Sequence, residues 1–84
     1  MIEPVNAEFS AALLAFNGEA LVYCRGISDI VARDYAVAYA RMLENRAKGA
    51  EAQLPRIPSG LFEPHRNLIR STLERMWGKY FPKT

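Results

Sequence analysis

His65-Arg66-Asn67-Leu68-Ile69-Arg70-Ser71-Thr72-Leu73-Glu74-Arg75-Met76-Trp77-Gly78-Lys79-Tyr80 is the stretch that decides the fold. His65, Leu68, Ile69, Thr72, Leu73, Met76, Trp77 and Tyr80 recur at three- and four-residue steps, which lines them along one side of a helix. Arg66, Asn67, Arg70, Ser71, Glu74, Arg75 and Lys79 fall on the other side and are expected to face water. An apolar stripe this wide and aromatic needs a partner, so other helices must pack on it.

Working outward, Pro64 suits the first position of that helix, Lys79 lies near its end and Pro82 stops it. Before it, residues 51–63 form an apolar, proline-rich loop. Pro55, Pro58 and Gly60 break helical structure there, while Leu54, Ile57, Leu61 and Phe62 predict that the loop lies against the bundle.

The element before the loop is a long central helix. Ser28 is a suitable cap, Asp29 sits in the first turn, and no proline or glycine follows until Gly49. Val31, Tyr35, Ala38, Tyr39, Met42 and Arg46 share one face, broadened by Ala32 and Leu43. Arg33 and Asp34 point to water, and Glu44 and Lys48 are ordered for an i, i+4 ion pair. Its length is expected to be roughly 30 Å.

The first helix is expected over Asn6–Phe16. Asn6 caps it, Phe9, Leu13 and Phe16 form its stripe, and Asn17-Gly18 supplies a left-handed end. Residues 19–26 read as a further short helix rather than a strand, because a lone strand has no partner elsewhere. The fold class is therefore all-α: one domain spanning 1–84, a small bundle of three to four helices with an amphipathic C-terminal helix.

Composition narrows the function. Eighty-four residues, half of them apolar, fold as a single domain that buries only roughly 60% of its unfolded surface. Cys24 is the one cysteine, so no intrachain disulfide reinforces it, and self-association is the natural substitute. The apolar runs are far shorter than the ~20 residues that cross a bilayer, and the start, with Glu3 and Glu8, is acidic where a secretory leader is basic. No membrane association and a cytoplasmic location are expected. Net charge is only +2. Residues 1–30 carry Glu3, Glu8, Glu19 and Asp29 against Arg25, a balance of −3; residues 51–84 carry six cations against Glu51, Glu63 and Glu74, a balance of +3. The two ends should attract each other, within a chain or between two.

Chemistry finds few candidates. His65 at a helix start has no nucleophile or orienting group at a recognisable spacing, and reads as a partly buried histidine. Cys24 beside Arg25 reads as a small core residue rather than a reactive thiol. No histidine pair, Cys-x-x-Cys or glycine-rich phosphate loop is present, so neither enzyme activity nor a cofactor or metal is expected.

What remains is contact. Tyr35, Tyr39, Met42, Arg70, Met76, Trp77, Tyr80 and Phe81 are the residue types that dominate interfaces, and they exceed what three short helices readily hide. The expected function is a small regulatory or inhibitory accessory protein that binds another protein as a helical homodimer. The alternative is nucleic-acid binding. Gly26-Ile27-Ser28, with Leu21 before it, resembles the turn of the helix-turn-helix family over about 20 residues. That resemblance implies a DNA-binding transcriptional regulator. Val22 and Ala32 depart from the family's pattern, and Asp29 and Asp34 bring negative charge where phosphates would lie.

Overall fold

The computed structural model describes residues 4–82 and contains three helices. They are α1 (Pro4–Arg25), α2 (Ile30–Ala47) and α3 (Glu63–Tyr80), each packed against both others, and no strand occurs among the described residues. The all-α reading holds, with three helices rather than four. Glu3 and Lys83, counted in the charge balance above, lie outside the described residues, as does the side chain of Asn6.

The largest departure is in α1. It starts at Pro4, so Asn6 lies inside it, and it runs for 22 residues straight through Asn17-Gly18. The inward face explains this. Phe9, Leu13, Phe16, Ala20, Cys24 and, past the helix end, Ile27 turn towards the other helices at a steady helical period across the Asn-Gly pair. Stopping at Gly18 would strip Ala20 and Cys24, each 2% exposed, from the core. Gly18 keeps φ out of the left-handed region, and Asn17 and Gly18 simply face solvent.

The cap of α2 is one residue later than expected. Asp29, not Ser28, adopts the extended cap conformation, and its Oδ1 accepts from the Val31 N–H at 3.1 Å. Arg33 does not extend into water; its Nε donates to the Ile27 carbonyl at 2.9 Å and ties the α1–α2 turn to the helix that follows. At 18 residues α2 matches the expected span but is shorter than α1 and equal to α3. Ala32, Tyr35, Ala36, Tyr39, Met42 and Leu43 are its buried side; Ala38 is exposed. Its end is a Schellman motif. Gly49, at φ 78°, donates to the Arg46 carbonyl and Ala50 to that of Asn45.

Residues 50–62 have no regular structure apart from a turn. Leu61 is buried and Ala52, Pro55 and Pro58 are half-buried, whereas Leu54, Ile57 and Phe62 face outward. The loop thus covers the bundle with every third residue only. Helix α3 begins at Glu63 with Phe62 as its cap, which places Pro64 at the second position, where its missing N–H is still not needed.

Its buried line is Ile69 and Leu73, both 0% exposed, flanked by Met76, Trp77 and Tyr80. The stripe is turned slightly from the expected one. Leu68 is 61% exposed, while Arg66 and Arg70, assigned to water above, are half-buried. Arginine can do this because its long apolar stem covers core surface while the guanidinium reaches the edge.

Candidate functional site

The residues singled out for contact fall into two groups. Tyr35, Tyr39 and Met42 are buried by the other helices of the same chain, as is the Tyr35–Tyr39 ring pair at 6.1 Å. Met76, Trp77, Tyr80, Phe81 and Arg70 are half-buried and remain partly open.

Around Tyr39 a polar cluster closes the α2–α3 seam. The Tyr39 hydroxyl donates to the Glu74 carboxylate, and the Arg70 guanidinium lies 5.7 Å from the ring centre. Burial, reinforced by the negative Glu74, pushes the Tyr39 phenol above its ordinary pKa. The phenol is therefore a neutral hydrogen-bond donor at neutral pH, a structural role. Cys24 is also held as a neutral group, its thiol pushed up by burial, which removes the basis for reactivity beside Arg25. His65 is half-buried in the first turn of α3.

A second polar cluster joins α1 to α3. Glu19 accepts from Lys79 Nζ at 2.8 Å and from the Tyr80 hydroxyl at 2.6 Å. Lys79 first, and then Tyr80, hold the Glu19 carboxyl below its usual range. This is the attraction between acidic front and basic back that the charge distribution suggested, made within one chain. Glu44 and Lys48 pair at 3.8 Å as their spacing predicts.

Aromatic packing then leads to the open part of the surface. Trp77 meets Phe16 edge-on at 4.9 Å and stacks on Phe81 at 4.2 Å, and Phe81 in turn lies 5.6 Å from Phe9. Beside this row, the C-terminal ends of α2 and α3 part to leave a groove of about 770 Å³. Leu43, Ala47, Trp77, Gly78 and Phe81 line it, with Arg46 and Glu74 among its walls. Arg46 is held there by a 3.2 Å contact from its guanidinium to the Met42 sulfur. Trp77 and Phe81, which both line this groove, were singled out above by their residue type. Leu43, Ala47 and Gly78 were not, because only the crossing of two helices makes them neighbours.

Among the described residues no group of three or more His, Cys, Asp or Glu side chains could hold a metal ion, and no helix is long and apolar enough to cross a membrane. No family model matches the chain, and no curated protein or solved structure matches it either.

Proposed function

We propose that this chain is a small non-enzymatic interaction module, a regulatory or inhibitory accessory protein that acts as a helical homodimer and holds a partner protein in the groove beside Trp77. The observation that carries the reading is the groove itself: aromatic and aliphatic walls at the end of two helices, with one cation and one anion beside them. Grooves of this kind suit an amphipathic helix that inserts one large apolar side chain as an anchor. Glu74 is engaged by Tyr39, so Arg46 is the charge left to meet a carboxylate on the incoming helix.

Gly78→Arg tests this without damaging the fold. A Cβ at Gly78 would meet nothing within 4 Å and stands on the groove wall, and replacing glycine inside a helix favours the helix. Wild-type and Gly78→Arg proteins, immobilised side by side, are exposed to host extract. A protein retained by the first and lost at least tenfold from the second, then rebound when purified, supports the reading. Equal retention of every protein by both overturns it.

The DNA-binding alternative has the Gly26–Asp29 turn in its favour. Against it, Arg33 is used to brace that turn, and Asp29 and Asp34 stand exposed at the start of α2. Salt-sensitive retention on heparin is its test.

A further inference from the structure

The inward face of α1 makes the core, yet its outward face is apolar too. Leu14 and Val22 are 74% and 71% exposed, Leu21 is 44% exposed, and Ala11, Ala15 and Gly18 lie among them on the same side. Glu8 and Arg25 stand exposed near its two ends with opposite signs, and the one charge between them, Glu19 at its edge, is taken up by Lys79 and Tyr80. Neither Glu8 nor Arg25 makes an ion pair with another described residue.

We propose that this face is the self-association surface of the protein: two copies pair their α1 helices antiparallel about a two-fold axis that crosses the outward face midway between Ala15 and Gly18. The charge pattern selects this occupant and this direction. In an antiparallel pair Glu8 of each copy comes level with Arg25 of the other, so both ends are neutralised. A parallel pair would set like charges together. The same register puts Ala11 opposite Val22 and Ala15 opposite Gly18, small against large at the flank and small against small at the crossing. Leu14 and Leu21 of the two copies alternate along the other edge. Gly18, with open space where a side chain would be, lets the helices approach closely.

From Glu8 to Arg25 the face is about 27 Å long and roughly 10 Å wide, so it buries a few hundred Å² per copy. Stable interfaces bury roughly 800 Å² per partner. The pair is therefore a weak, reversible dimer with a dissociation constant of about 10 µM or more. This deepens the homodimer half of the preceding proposal and does not involve the Trp77 groove.

Sedimentation equilibrium of the full chain from about 1 µM to 1 mM tests it, with helical content followed by circular dichroism. The wild-type chain should pass from its 9.5 kDa mass towards twice that value. Ala15→Arg places two like charges at the crossing and should weaken association by about a hundredfold or more while leaving the spectrum unchanged. Glu8→Arg and Arg25→Glu should each weaken it about tenfold, and the double exchange should restore it, because each new charge then meets its opposite across the axis. Gly78→Arg should have no effect on mass. A chain that stays monomeric at 1 mM overturns the proposal. So does a dimer that survives Ala15→Arg, or one that dissociates with Gly78→Arg, which would move self-association to the groove. Loss of partner capture by Gly78→Arg with the dimer intact keeps the two proposals separable.

Discussion

Asn17-Gly18 and Lys48-Gly49 look alike as helix ends: each sets a glycine after a polar residue at the end of an apolar stripe. Only the second ends a helix. Gly49 takes φ 78° and closes a Schellman motif, whereas Gly18 stays helical and α1 continues to Arg25. The difference lies downstream. After Gly18, Ala20, Tyr23 and Cys24 keep the helical period and reach the core, and Glu19 finds Lys79 and Tyr80. After Gly49, Glu51, Gln53 and Leu54 are exposed, and Pro55, though half-buried, cannot continue a helix. A glycine permits a stop; the residues beyond it decide whether the stop is taken.

The greatest strain on this comparison comes from removing what the second half of α1 packs against. Trp77 meets Phe16 edge-on, directly before Asn17. Trp77→Ala should cost about 2–3 kcal/mol in urea unfolding, less than a fully buried tryptophan because one side of the ring is open to the groove. It should also raise hydrogen exchange in residues 17–25 more than in α2, if tertiary packing is what carries the helix across Gly18. A loss below about 1 kcal/mol would show that helix α1 sustains itself by local propensity.

The two glycines should then respond in opposite directions to the same substitution. Gly49→Ala forces a side chain into the left-handed region and should destabilise by about 1–2 kcal/mol. Gly18→Ala meets no neighbour and no positive φ, so it should stabilise by roughly 0.5–1 kcal/mol. Both are best measured by thermal and urea unfolding near 1 µM, where chains are separate. Destabilisation by Gly18→Ala would mean that α1 bends or breaks at that point.

These cases also show what could be seen before the fold was known. Spacing alone was enough for Phe9, Leu13 and Phe16, for Ile69 and Leu73, and for the Gly49 end, because each depends on one helix and its period. The passage through Asn17-Gly18 was hidden, since a local turn signal had to be weighed against Ala20 and Cys24, two small residues that scarcely register as a stripe. Leu68 and Arg70 exchanged their expected sides because Arg70 has a specific place over the Tyr39 ring, a contact between helices 31 residues apart. The groove was hidden for the same reason: Leu43 and Ala47 become its walls only when α3 crosses them.

The smallest expected effect belongs to Glu19, the first charged residue after Gly18, and it asks whether polar contacts help to keep α1 intact. Its carboxyl is held below the ordinary range by Lys79 and then by Tyr80, so the folded state binds its proton more weakly than the unfolded state does. A carboxylate depressed in this way adds stability that is present above its unfolded pKa, near 4.5, and is lost as pH falls through the lower folded value. The wild-type chain should accordingly lose stability below about pH 4.5 faster than Glu19→Gln, with the two curves running parallel at neutral pH. The site is open to water and salt, which keeps the difference small and makes it shrink further in high salt. Identical acid limbs for both proteins would leave the apolar period through Ala20 and Cys24 as the sole reason that the helix does not stop at Gly18.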